Sequence, residues 1–424
     1  MVVMANRLII FEDEKYADFY PITLSRPVFC LLCGAAQLWE KIALRFPDYE
    51  PVFSCRPELA SLLHTETGHK VNKIDYQKGD RLVFVNGRLR LGDKLAEELK
   101  RATDNRIYHH GGLTAAVVVS EPLDKAPAPE VRFTGEGASE ALGIKADIIA
   151  GEFEFFDYLW DCVNLNASEI SLDYAVRFPE VKTRRMLSEA TIDRSARILS
   201  DENLYIAPGA EICAGAVIDN RKGPVVIDSQ AVVGPLSFIE GPCYIGPGTQ
   251  IFRGNIREGC SFGPVCRVGG EVEASIFHSY ANKYHDGFMG HGYIGSWVNL
   301  GAMTTNSDLK NNYKNIAVTI NGRTIDSGQM KIGSYIGDHS KTGIGTLINT
   351  GVSIGFSCNI YGGTLVTSRE VLSFSWGDER GYDIYRLDKA MAVARTVMAR
   401  RGVEFGADHE RLFSEIYKKT TAGR

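Results

Sequence analysis

The 424-residue chain lacks any apolar run near the roughly 18 residues that a membrane-spanning helix needs. It also lacks an excess of basic charge: 47 Lys and Arg stand against 52 Asp and Glu, a net charge of −5. That balance offers no broad electrostatic footprint for nucleic acid or an anionic membrane, so neither is expected as a partner. Cysteine is sparse and odd in number, nine residues scattered over the chain, which excludes a secreted disulfide framework. Cys30 and Cys33 form a lone CxxC with no second pair at zinc spacing, and buried thiols are the expectation. The opening Met1-Val-Val-Met-Ala-Asn-Arg-Leu-Ile-Ile has no basic n-region and meets Glu12-Asp13-Glu14-Lys15 almost at once. It reads as a first β-strand, and a cytoplasmic location is expected. The length exceeds one ordinary core and implies two or three domains.

What the chain has in excess is glycine, and unevenly: 11 in residues 1–200, 27 in 201–370 and 5 in 371–424. In residues 1–190 short β-rich runs (Arg7–Phe11, Arg81–Val85, Ala115–Ser120) alternate with helical spacing at Ala35–Phe46, Lys94–Arg101 and Phe153–Asn164. Such alternation argues for an α/β layer with a largely parallel sheet. Pro122, Pro127 and Pro129 mark an exposed connection within it.

Between 203 and 368 branched apolar residues recur every six positions, as in Ile227, Val233, Ile239, Ile245 and Ile251, or Ile336, Thr342, Ile348, Ile354 and Ile360. The following residue is usually small. A period of six fits neither helix nor hairpin; it marks a solenoid with one inward residue per side and 18 residues per three-sided coil. The pattern resembles the hexapeptide repeat of left-handed parallel β-helices. It breaks at 219–226, 275–287 and 303–330, where loops are expected to leave the coil. Residues 371–424 carry Tyr385, Leu387, Met391, Val397, Leu412, Phe413 and Ile416 among many charges, the spacing of amphipathic helices that cap or brace the solenoid.

The break at 275–287 holds His278, His285 and, just beyond it, His291. A histidine fixed on a rigid coil edge can take a proton from an amine or hydroxyl nucleophile, while an Asn or backbone N–H steadies the oxyanion of a thioester. The alternative is that these rings only hydrogen-bond coil carbonyls. Elsewhere, His109-His110-Gly-Gly112 reads as an exposed turn, and Asn164 and Asn166 read as a helix C-cap.

The string from Asn282-Lys-Tyr-His285 through Gly290, Gly295 and Asn299-Leu-Gly-Ala302 resembles the acetyltransferase half of the GlmU-like family. These are bifunctional N-acetylglucosamine-1-phosphate uridylyltransferase/glucosamine-1-phosphate acetyltransferases. The resemblance implies His285 as general base, with Asn282, Asn299, Ala302, Thr304, Asn306 and Lys314 around the sugar and acyl-CoA. It also implies acetyl-CoA as donor and a homotrimer. Tyr284 stands where the family has Asn. Pro21-Ile-Thr23 and Leu38-Trp-Glu-Lys41 resemble the family's nucleotidyltransferase half, which implies nucleotide or phosphate contacts at Lys15, Arg26, Asn86, Gly87 and Arg88. Two departures stand out. No glycine occurs from 5 to 33, where the family has a glycine-rich phosphate loop, and Arg88 replaces the Asp that binds Mg²⁺. An acidic loop there repels phosphate unless Mg²⁺ intervenes or Lys15 and Arg26 compensate. Asp13, Asp18 and Asp161 are the remaining carboxylates for a cation.

The sequence thus predicts an α/β nucleotidyltransferase-like (Rossmann-like) domain over 1–190, a left-handed β-helix over 200–370 and a helical tail over 371–424. The leading expectation is an acyl-CoA-dependent acyltransferase acting on a sugar phosphate, with an N-terminal domain that binds a sugar 1-phosphate and is open to nucleotidylating it. A nucleotidyltransferase with a trimerising β-helix, and a non-catalytic sugar-nucleotide-binding trimer, stay open.

Overall fold

Residues Leu8–Phe11 are fully buried because their strand lies near the middle of a seven-stranded sheet. The computed structural model describes residues 5–128, 130–131, 133, 137–178 and 189–424; Met1–Met4 and Pro129 lie outside the described residues. In chain order the strands are β1 (Asn6–Phe11), β2 (Glu50–Ser54), β3 (Lys70–Val71), β4 (Arg81–Asn86), β5 (Arg106–His110), β6 (Leu113–Val119) and β7 (Asp147–Ala150). They lie side by side as β3-β2-β1-β4-β6-β5-β7, parallel except that β6 opposes both its neighbours. Alternate residues of β1 face opposite cores. Leu8 and Ile10 pack with α1 (Leu38–Leu44), α2 (Pro57–Thr67) and α3 (Asp93–Arg101), whereas Ile9 and Phe11 pack with α4 (Ala138–Leu142).

The helix expected over Phe153–Asn164 instead runs as α5 over Leu159–Arg177. It starts late because Asp161 accepts the N–H groups of Asp157 and Tyr158, both at 2.9 Å, and so fixes the first turn. Asn166 is therefore inside a helix and not a C-cap. His109 likewise is buried within β5 rather than in an exposed turn; only Gly111 and Gly112, with φ of 54° and 82°, make the hairpin.

The six-residue period forms a three-sided parallel β-helix, the left-handed architecture expected from the repeat. Ile212, Val233, Ile251 and Val268 stack inward on one side, Ile218, Ile239 and Ile256 on the second, and Ile206, Ile227, Ile245 and Phe262 on the third. The phase breaks have different causes. At 219–226 three extra residues enter one coil, so Val217 pairs with Phe238. At 275–287 no loop leaves: the coil is shortened, and Arg267 pairs with Asn282. Residues 303–330 leave the coil in part and fold back as a hairpin, Ala317–Ile320 against Arg323–Asp326. Its Ile316, Val318 and Ile320 are buried, and its Arg323 ion-pairs with Asp18 of the N-terminal domain.

Glycine at coil corners answers a distance. A Cβ on Gly263 would lie 1.6 Å from the carbonyl oxygen of His278 in the next coil. Gly263→Ala is expected to lower stability by about 1–3 kcal/mol through overpacking, read as an earlier urea or thermal transition. An unchanged transition would show that neighbouring coils can separate.

The outward positions of the third side carry Tyr244, Ile276, Tyr293 and Tyr335, all buried in the same core as α5 and the segment after β1. The Tyr293 hydroxyl donates to the carbonyl of Leu32 (3.0 Å) and accepts from its N–H (2.8 Å). Asn166 accepts from the N–H of Gly34 (2.7 Å) and donates to the carbonyl of Gly259 (2.8 Å). The N-terminal domain is thus packed along the solenoid. The helices α6 (Leu387–Ala399) and α7 (Ala407–Thr421) brace both parts: Phe413 packs on Phe356 and Phe374, and Asp408 accepts from Ser61 of α2 at 2.7 Å. Among the described residues no helix is long and apolar enough to cross a membrane. The cysteines are free thiols, all but Cys213 buried.

Candidate functional site

Of the three histidines around the shortened coil, two are tied into the structure. His278 is buried, with Nε2 2.8 Å from the carbonyl oxygen of Cys30, and burial followed by the Arg26 guanidinium pushes its pKa well below the usual value. His291 Nδ1 lies 2.8 Å from Asp308 Oδ2. His285 differs: it is exposed, and among the described residues its ring makes only an edge contact with Tyr284.

Its backbone is nevertheless fixed. Lys283 occupies an inward position of the coil, next to Val268, where the repeat calls for an apolar residue. Its ammonium donates to the carbonyls of Gly269 (2.9 Å), His285 (3.2 Å) and Gly287 (2.6 Å). A buried lysine with each donor satisfied thus clamps the turn that presents His285. The only sequence signal for it is a charge at a core position of the repeat.

His285 opens onto a cavity of about 430 Å³ that also takes in Asn282, Tyr284, Asn299 and Lys341 from the coils and Arg400 and Arg401 from beyond α6. Arg267, Asn282, Asn299 and Lys341 face one another in register across four strands, a single outward row. Asn282 donates to the side-chain oxygen of Asn299. So His285, Asn282 and Asn299 come together. The other expected contacts do not. Thr304 and Asn306 point inside the coil: the Thr304 hydroxyl lies 2.8 Å from that of Thr342, and Asn306 pairs with both backbone groups of Gly290 (2.8 and 2.9 Å). Both are buried and meet the coil instead of a ligand. Ala302 takes the N–H of Gly345 on its carbonyl, and Lys314 is exposed on the inserted segment; neither lines this cavity.

In the N-terminal domain the charges expected for a nucleotide are already paired. Arg88 is fully buried and grips Asp13 through Nε (2.9 Å to Oδ1) and Nη2 (2.7 Å to Oδ2). Asn86 donates to the same Oδ2 (2.9 Å), and the N–H of Lys15 to Oδ1 (3.2 Å). Gly87 is packed so that a Cβ would lie 2.6 Å from Phe29. Glu12 is held by Arg56, whose Nε lies 2.9 Å from Oε2. The acidic loop is therefore compensated mainly by Arg56 and Arg88, with the expected Lys15 beside Asp18 only and Arg26 engaged elsewhere. Lys15 is exposed beside Asp18 (3.6 Å), and Arg26 ion-pairs with Asp338 of the β-helix while approaching His278 at 2.7 Å.

A divalent cation does not fit this donor set. Each oxygen of Asp13 already accepts at least two hydrogen bonds; Asp18 is shared by Lys15 and Arg323, and Asp161 accepts two N–H groups at its helix start. No group of three or more metal-ligating side chains occurs among the described residues. Asp13, Asp18 and Asp161, the carboxylates considered for the Mg²⁺ that the resemblance implies, are thus each already engaged.

Comparison with known proteins divides along the same lines. Residues 8–178 match the family model described as sugar nucleotidyl transferase. A bifunctional sugar-1-phosphate nucleotidylyltransferase/acetyltransferase from Sulfurisphaera tokodaii is 35% identical over 166 residues, 36% of this chain and 39% of the relative. The bifunctional protein GlmU of Methanocaldococcus jannaschii is 31% identical over 27% of this chain and 28% of its own. That of Synechococcus sp. (strain JA-3-3Ab) is 25% identical over 50% of this chain and 37% of its own. The matches therefore span less than two fifths of each of these relatives. Over residues 8–178 the chain thus resembles sugar nucleotidyl transferases, and over part of its length it is similar to the bifunctional nucleotidylyltransferase/acetyltransferases.

Proposed function

We propose that this protein transfers an acyl group from acyl-CoA, acetyl-CoA being the simplest donor, to an amine or hydroxyl of a sugar phosphate. The observation that carries this reading is the exposed, clamped His285 at the mouth of a cavity lined by Asn282 and Asn299. In the step proposed, the imidazole takes the proton of the attacking amine or hydroxyl as its N or O bonds to the thioester carbonyl. An asparagine amide donates to the oxyanion. The C–S bond then breaks, and the proton passes from the imidazole to the departing thiolate. Support comes also from the acetyltransferase named in the curated relatives. The N-terminal domain would bind the sugar phosphate or nucleotide sugar. Thiol release from acetyl-CoA across a panel of amino-sugar phosphates tests this, and no release with any acceptor defeats it.

A second reading, sugar-1-phosphate nucleotidyl transfer with Mg²⁺, is favoured by the family match over 8–178. The occupied Asp13 counts against it. Pyrophosphate release from UTP or dTTP with sugar 1-phosphates and Mg²⁺ would establish it. A homotrimer in the cytoplasm accompanies either reading. Apolar Ile344, Leu347 and Leu365, exposed on the solenoid, give such association a surface, and the mass by light scattering checks it.

A further inference from the structure

The cavity before His285 has a charge balance unlike the rest of the molecule. The chain carries a net charge of −5, and its buried Arg7, Arg56 and Arg88 each have a carboxylate partner. Around this cavity stand Arg267, Lys341, Arg400 and Arg401, with His285 beside them and no Asp or Glu in the lining. Among the described residues none of these four cations makes an ion pair. Burial first, and then the charges of Arg267 and Arg400 in the same lining, pull the Arg401 pKa down. Lys341 lies deep, and burial pushes its ammonium down to about 8. It donates to the carbonyl of His339 (2.8 Å), its one hydrogen bond among the described residues, so two donors remain for a ligand. Gathering four cations without a counterion is costly in a partly desolvated cleft, and the cost disappears when an anion of two or more charges binds.

The geometry narrows the anion. Arg267 and Lys341 sit at the two ends of the row they share with Asn282 and Asn299, three strand spacings apart, or roughly 14 Å. The C-terminal end of α6 closes the row from above with adjacent arginines. Forked guanidinium groups around a lysine suit phosphate oxygens, which accept several charge-assisted hydrogen bonds at once. We propose that this cavity is a phosphate-binding site for a phosphate monoester or diphosphate group of a reactant. The C-terminal helical segment of the same chain supplies two of its four cations, Arg400 and Arg401. That segment then does more than brace the solenoid. The phosphate has two possible sources, the nucleotide end of the acyl donor or the sugar phosphate; this assignment rests on the acyl-transfer reading, whereas the anion site does not.

Calorimetric titration of the full chain with inorganic phosphate, CoA, dephospho-CoA, glucose 1-phosphate and glucose tests the site. At least one phosphate ligand is expected to bind, with an affinity that falls as salt rises. Arg400→Ala/Arg401→Ala should weaken that binding at least tenfold, and so should Arg267→Gln on the rigid coil. Arg386→Ala removes the same charge from the other end of α6, where Arg386 pairs with Asp388, and should leave binding unchanged. Tighter binding of CoA than of dephospho-CoA assigns the site to the donor; binding of glucose 1-phosphate but not glucose assigns it to the acceptor. No phosphate binding, or equal weakening by the Arg386 variant, overturns the proposal. His285→Ala separates the two ideas. If it abolishes thiol release while the arginine variants bind phosphate like wild type, only the anion site fails. If the wild type releases no thiol with any acceptor while the arginine variants lose phosphate, the acyltransferase reading fails and the site stands.

Discussion

His285→Ala is expected to lower the rate of thiol release from acetyl-CoA by roughly 10²–10⁴-fold, the range that a positioned general base contributes. The effect should fall on turnover and not on folding, because the ring is exposed and makes no hydrogen bond among the described residues. Donor binding, followed by calorimetry, should change by less than about twofold, since a base acts on the nucleophile and not on the CoA moiety. Equal rates in the two proteins would make His285 a bystander. Comparison with Lys283→Met adds a second control: if that change slows the reaction while His285→Ala does not, the clamped turn matters and the ring does not.

The solenoid was legible from sequence because its rule is local: one inward residue every six positions, repeated many times, needs no knowledge of distant contacts. The sheet strands were legible for the same reason. What sequence could not supply was pairing across domains. Tyr244, Tyr293 and Tyr335 stand just before the inward residues Ile245, Ile294 and Ile336, an outward aromatic row that points to a covered face. Nothing in the sequence says which element covers it. Asn166 illustrates the limit: it suits a helix end by propensity, yet it is buried in mid-helix because Gly34 and Gly259 supply its partners. Within the site, spacing from Asn282 to Ala302 located His285, but it could not tell inward from outward. Thr304 and Asn306 fell inside the coil, and Lys341 and Arg267 entered the cavity from coils far away in sequence.

The N-terminal loop leads to the second large expectation, which concerns stability. Asp13 and Arg88 are a buried pair: removing the carboxylate in Asp13→Ala leaves a fully buried guanidinium with Asp157 and the carbonyl of Phe156 as its remaining partners. Breaking one side of such a pair costs about 3–5 kcal/mol, and Asp157, itself half-exposed, should hold the loss toward the lower figure. Asp13→Ala/Arg88→Met removes both charges and should recover much of that loss, a coupling that a double-mutant cycle in urea measures directly. A metal-binding Asp13 predicts the opposite. Deleting a carboxylate that awaits a cation relieves repulsion, so Asp13→Ala would be no less stable than wild type without metal, and Mg²⁺ would stabilise wild type alone. The absence of glycine before residue 34 belongs to the same argument. A loop whose acids are neutralised from within by Arg56 and Arg88 does not need backbone N–H groups turned toward a phosphate. A marginal Asp13→Ala effect, with Mg²⁺ stabilising the wild type, would restore nucleotidyl transfer as the domain's chemistry.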